Sequence, residues 1–297
     1  MRVLVTGASG HVGGAIAAHF VAAGASVVGL SRGPHAGFPA TAWVQCDLAA
    51  PGAADAVGNG VAPCDVVVHA AAALDKDLFA DAVVPANCFG TQQMLKLAAG
   101  WKSFFVYISG VPVIGRPTTL PVTEDHATHP PTAYHAAKLF GEHLTAIAAS
   151  GGAGVSALRL TSPVGPGLPA HRILSVFVAQ ALSGGPIELS GQGTRRQDYV
   201  DVRDVAIAVE QCAARRATGT FNVASGHAVS NRELAERCIS SLGSTSTIRL
   251  NGREDPEDDW IWDVSIDRAR EAFDYRPRYS IEDSIRSVAM GIRGDRS

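Results

Sequence analysis

Arg2-Val3-Leu4-Val5-Thr6-Gly7-Ala8-Ser9-Gly10-His11-Val12-Gly13 opens the chain, and its reading decides the fold. Residues 2–5 are an apolar run that predicts a strand. Residues 12–23 are alanine-rich, contain no proline and stop at Gly24, which predicts a helix. Between the two stand glycines 7, 10 and 13. Gly7 suits a tight turn, Gly10 lets backbone approach a diphosphate, and Gly13 lets the helix pack close to the strand. The free N–H groups of the helix start then face the anion. The expected contacts are Gly7, Ser9, Gly10, His11, Val12 and Gly13.

Working outward, short apolar runs predict further strands over 25–30, 42–45, 65–69, 103–109 and 155–160. Helical spacing covers 87–99 and 132–149. Strands alternating with helices predict an α/β fold with a doubly wound parallel sheet. After Pro163 the pattern loosens, and charge becomes dense from Arg253 to Asp283. The expected organisation is a dinucleotide-binding domain over 1–165 and a smaller lobe over 166–297, interleaved with the last sheet elements. That lobe would close over the crevice beyond the strand ends and recognise a substrate.

Composition narrows the class. Of 297 residues, 46% are apolar and only 6% aromatic, which suits a buried sheet of small aliphatic residues. A net charge of −3 gives no reason to expect nucleic acid. No apolar run reaches the ~18 residues of a membrane span, and no signal peptide is recognisable, so a cytoplasmic location is expected. Cys46, Cys64, Cys88, Cys212 and Cys238 are widely spaced and read as reduced thiols. The ten histidines show no paired ligand spacing, so no metal is expected.

The end of the second strand should meet the adenosine ribose. An acidic residue there would accept from the 2′-hydroxyl and repel a 2′-phosphate. This chain has Ser31-Arg32 and no acid, and the Arg32 fork suits a phosphate. NADP is therefore expected over NAD. Asp47 has two readings, an acceptor for the adenine amino group or a helix N-cap.

Tyr134 and Lys138 stand four apart at the start of a predicted helix, on one face. An ammonium beside a phenol favours the phenolate. Such a tyrosine can exchange a proton with a substrate hydroxyl while hydride moves to or from a nicotinamide.

With these features the sequence resembles the extended short-chain dehydrogenase/reductase family, in its sugar-nucleotide epimerase/dehydratase branch. Further segments carry the resemblance: Asp47-Leu48, His69-Ala70-Ala71-Ala72, Asn87-Cys88-Phe89-Gly90-Thr91, Glu142, Arg159 to Pro166, and Gly191-Gln192-Gly193 through Gln197-Asp198-Tyr199-Val200 to Asp204. The resemblance implies a Rossmann domain. It places Asp47 and Leu48 at the adenine, and Ala70, Ala71, Ala72 and Thr161 along the cofactor. It also implies a homodimer paired through the helices at 87–99 and 132–149.

Several positions depart from the family pattern. The hydroxyl expected after the fifth strand falls on Gly110, with Ser109 beside it. Either Ser109 serves as the third catalytic group or the hydroxyl is missing. Val111 and Pro112 occupy the places of the dehydratase acid pair, which argues against dehydration. Gln197 replaces an arginine and Ser162 an asparagine; Arg195 and Arg196 are the alternative cations for a diphosphate. Trp260 and Trp262 either stack on substrate or pack the lobe. The expected function is epimerisation or reduction of a nucleotide sugar by Tyr134, Lys138 and Ser109. The alternatives are reduction of a small non-nucleotide carbonyl and cofactor sensing with little turnover.

Overall fold

The computed structural model describes residues 1–33, 39–75 and 77–294. The first half lays down β1 (Arg2–Thr6), β2 (Ser26–Ser31), β3 (Ala42–Gln45), β4 (Val66–His69), β5 (Phe104–Gly110) and β6 (Val155–Leu160). Between them lie α1 (His11–Ala22), α2 (Ala53–Gly60), α3 (Gly90–Trp101) and α4 (Ala133–Ser150). The chain then makes β7 (Ser162–Val164), α5 (Ile173–Ser183), β8 (Ile187–Leu189), β9 (Arg196–Asp201) and α6 (Val202–Arg215) before β10 (Gly219–Val223). It closes with β11 (Ala228–Ser230), α7 (Asn231–Leu242), β12 (Ile248–Leu250), α8 (Asp267–Phe273) and α9 (Ile281–Gly294).

Seven strands form one parallel sheet in the order β10-β6-β5-β4-β1-β2-β3. The strand order reverses between β1 and β4, which makes the switch point where an α/β sheet takes its ligand. Strand alternation divides the core. Val3 and Val5 join a cluster with Ile16 and Phe20 of α1, whereas Leu4 joins the opposite cluster with Met94 and Leu97 of α3. β4 is buried on both faces, and its Val-Val-Val run is the β-branched composition such a strand requires.

β10 and α6 come from beyond residue 165 yet build the seven-stranded layer, where α6 packs on α1. The remaining lobe holds a β11-β9-β7 sheet, a β12-β8 pair and the helices α5, α7 and α9. Its own core includes Leu174, Phe177, Leu234 and Ile285. Trp262 is 5% exposed within the main core, and Trp260 packs against it, so the pair packs the molecule. Among the described residues no helix is long and apolar enough to cross a membrane.

Candidate active site

The glycine loop lies at the switch point, between β1 and α1. Gly7 turns with φ +67° and donates to Leu30 O at 2.9 Å, and Gly10 N–H donates back to Gly7 O at 2.9 Å. A Cβ on Gly7 would lie 2.8 Å from the Ala71 backbone, and one on Gly13 only 2.2 Å from Gly7 O. Both positions are thus closed to any side chain by neighbouring backbone. Gly10 precedes α1 without a side-chain cap, so the first-turn N–H groups remain available to an anion. Those N–H groups and the two backbone-packed glycines fit a dinucleotide diphosphate.

Buried polar contacts hold the far wall of the crevice. Thr6 Oγ1 meets His69 Nδ1 at 2.8 Å and accepts from Ala71 N–H at 3.1 Å. His69 Nε2 meets Thr91 Oγ1 at 3.0 Å, and Asn87 brackets Ala73 through N–H and C=O at 2.7 and 3.0 Å. The turn at Ala70, Ala71 and Ala72 is thereby fixed beside Gly7. Burial drops His69 to about 3, with the Lys138 charge adding, so its ring is neutral.

α4 starts at a Thr132 cap, whose hydroxyl accepts from His135 N–H at 3.3 Å. This sets Tyr134 in the first turn and Lys138 one turn on. Lys138 Nζ donates to Ile108 O at 2.7 Å and lies 5.9 Å from the Tyr134 ring centre. An ammonium has three N–H bonds, so two remain for a ribose. Burial pulls Lys138 down to about 8, opposed by Glu142. Tyr134 is pushed up to about 12 by burial, and the Arg172 guanidinium works against that shift.

The structure separates the residues expected from sequence. Ser109 is 4% exposed and donates to Glu142 Oε1 at 2.5 Å, about two helical turns from Tyr134 along α4. Gly110 takes the opposite side of β5, where an added Cβ would meet only Pro112 Cδ at 3.4 Å and Leu160 O at 3.7 Å. Thr161 Oγ1 donates to the buried Asp198 at 2.8 Å, so it ties β6 to β9. Asp47 accepts from Ala49 N–H at 3.0 Å within a turn and caps no helix, since the N-cap of α2 is Gly52; Leu48 packs at Gly90. Ser31 Oγ donates to Gly33 O at 2.8 Å, and Gln45 holds Arg32 O at 3.0 Å. Ser162 lies on β7, paired with Tyr199. Arg196 bonds Glu233 at 3.2 Å and the Ala228 carbonyl, whereas Arg195 pairs with Glu257 at 2.5 Å but keeps its Nε buried and unbonded.

Arg172 escaped the sequence reading, and His11, expected there as a loop contact, has a further role. Arg172 stands at the N-cap position of α5 without a capping bond, and its charge acts on Tyr134, Tyr199 and His11 together. It has no carboxylate partner among the described residues. The Tyr199 hydroxyl, within reach of both Arg195 and Arg172 charges, is buried without a partner. Burial lowers His11 to about 4, and its ring lies against the Gly165–Pro166 backbone. It links the phosphate loop to the segment entering the lobe. No motif marks Arg172, and His11 was legible only as a loop position.

The model of the NAD dependent epimerase/dehydratase family matches residues 3–224. The chain belongs to that family, and it is an NAD(P)-dependent enzyme of the extended short-chain dehydrogenase/reductase type. It is 29% identical over 303 residues to dTDP-6-deoxy-L-talose 4-dehydrogenase (NAD(P)(+)) of Kitasatospora kifunensis, covering 97% of this chain and 94% of that one. It is 28% identical over 320 residues to UDP-glucose 4-epimerase of Mycolicibacterium smegmatis, covering 99% of each. The fold matches that of a Thermus thermophilus UDP-glucose 4-epimerase in complex with NAD, with TM-score 0.86, 23% identity and 99% of both chains covered.

Proposed function

We propose that the protein is an NADP-dependent epimerase or reductase acting on a hydroxyl or keto carbon of a nucleotide sugar. The observation that carries this reading is Tyr134 and Lys138 on successive turns of α4, with Lys138 anchored to β5. When bound, the nicotinamide accepts or returns a hydride. Tyr134 takes the hydroxyl proton as the carbon is oxidised and gives it back on reduction. Lys138 holds the ribose and, with Arg172, favours the phenolate. Return of hydride to the other face of the keto sugar would invert the centre and regenerate the cofactor; starting from reduced nicotinamide and a keto substrate, one transfer with the proton given by Tyr134 would be reduction. Val111 and Pro112, in the turn after β5, offer no acid or base, which speaks against dehydration.

The nucleotide-sugar part rests on the relatives named above and on the lobe. Arg195 is paired with Glu257, whereas Arg172 has no carboxylate partner among the described residues and is the cation offered here to a diphosphate. Arg196 is engaged by Glu233. Incubation with UDP- and dTDP-hexoses, read by NMR of the sugar, tests the function. Inversion or reduction supports it, and inertness toward the whole panel refutes it.

NADP preference rests on Arg32 at the end of β2 with no acid beside it. Arg32→Asp is expected to shift the ratio of NADP to NAD affinity by at least tenfold toward NAD, measured by quenching of tryptophan fluorescence. An unchanged ratio would remove the argument.

A homodimer is proposed through α3, α4 and the segment before them. Phe89, Phe140 and Ile147 are 36%, 42% and 69% exposed there. Light scattering is expected to give twice the chain mass, and a monomer refutes the pairing.

A further inference from the structure

Lys138 carries its charge into a buried place, and the groups around it are few. His69 approaches from β4, Tyr107 from β5, and Tyr134 and Glu142 from α4 itself; Cys88 lies beyond Tyr107, and Arg159 of β6 beyond Glu142. Burial keeps His69 neutral and pushes the Tyr107 phenol and Cys88 thiol up. Glu142 is the one carboxylate among these groups.

Glu142 is bound unusually firmly. Its side chain and that of Arg159 are 5% and 6% exposed. Arg159 Nε donates to both carboxylate oxygens at 3.1 Å and Nη2 to one at 2.8 Å. Ser109 adds its hydroxyl at 2.5 Å. Ser109 and Arg159 are register partners on β5 and β6, so two neighbouring strands address one carboxylate. The residue before Ser109 gives its carbonyl to Lys138. Consecutive residues of β5 thus grip successive turns of α4, one at Lys138 and one at Glu142.

We infer that Glu142 is a positioning residue: held by Ser109 and Arg159, it supplies the buried counter-charge that keeps Lys138 protonated and docks the Tyr134 helix on β5. The inference rests on Tyr134 and Lys138 being the catalytic pair. Ser109 then acts through Glu142 and Lys138 and does not touch substrate. Burial alone drives a lysine toward its neutral form, and an opposite charge one turn away restores the ammonium. A neutral Lys138 would leave Tyr134 less able to ionise.

The test compares pH profiles from about pH 6 to about pH 10, in turnover and in cofactor affinity. In the native protein both are expected to fall as Lys138 loses its proton near 8. Glu142→Gln leaves Arg159 as a buried unpaired charge and can fail to fold. The working variant is therefore E142Q/R159M, which removes both charges and is expected to remain folded. Its midpoint is expected to move down in both readouts, since Glu142 lies one turn from Lys138 and the Arg159 charge removed with it lies beyond. Glu142→Asp keeps the charge and the arginine pair, and its midpoint is expected to stay near the native one. A folded E142Q/R159M with the native midpoint overturns the inference, as does an equal shift in Glu142→Asp. If the native protein shows no such fall in either readout, the Tyr134–Lys138 reading itself fails and the inference with it.

Discussion

Tyr134→Phe is expected to lower kcat by roughly 10²–10⁴-fold, the range for removing a positioned acid–base group. The ring is kept, so packing in the first turn of α4 is kept with it. The cap at Thr132 and the Lys138 bond to Ile108 do not involve the phenol oxygen. Cofactor affinity should therefore change by less than about threefold. The loss falls on the step in which the sugar hydroxyl gives up its proton, and neither of the residues at the expected hydroxyl position can take it over. Ser109 is engaged by Glu142, and Gly110 has no side chain. Steady-state turnover together with fluorescence titration of the cofactor separates the two effects. Equal losses in kcat and cofactor binding would show that the phenol holds the cofactor and does not move the proton.

Gly13→Ala is expected to disable the protein through its cofactor loop. The new methyl group would lie 2.2 Å from Gly7 O and 2.7 Å from Gly7 C, both backbone atoms. Backbone on a turn already at φ +67° cannot rotate away as a side chain would. α1 must move off β1, at a cost of about 1–3 kcal/mol or more for overpacking a tight contact. Because the free N–H groups of α1 move with it, the diphosphate cradle opens. We expect a thermal midpoint lower by roughly 2–5 °C or more and cofactor affinity weaker by at least about tenfold. Calorimetry with and without cofactor measures both. A stable variant with native affinity would show that helix and loop are not packed as described.

Much of this was legible because it depends on local pattern. The strand at 42–45 and the strand at 155–160 fall where short apolar runs put them, and the loop at Gly7, Gly10 and Gly13 where glycine spacing put it. The helix expected over 87–99 divides into a wide turn over Pro85–Phe89 and α3, since Gly90 N–H reaches back five residues to Pro85 O. That division sets Asn87 against Ala73. α2 went unread because Ala53–Gly60 carries only a short apolar stripe among glycines. The two faces of β5 explain the puzzle at Ser109 and Gly110: neighbours on a strand point apart, so a one-residue offset sends the hydroxyl to Glu142. Arg195, Arg196 and Arg172 differ only in which carboxylates the fold brings near. Glu257 and Glu233 are distant in sequence from β9, so no spacing could have shown which cation stays free.

The central claim is that Tyr134, supported by Lys138, moves a proton while hydride passes between cofactor and nucleotide sugar. The most direct measurement is single-turnover reduction of bound cofactor by UDP- and dTDP-hexoses, followed by reduced-nicotinamide fluorescence in native protein and Tyr134→Phe. The account predicts a rise with at least one nucleotide hexose in native protein, slowed by roughly 10²-fold or more in the variant. A rise of equal rate in both proteins, or none with any nucleotide hexose, would contradict it.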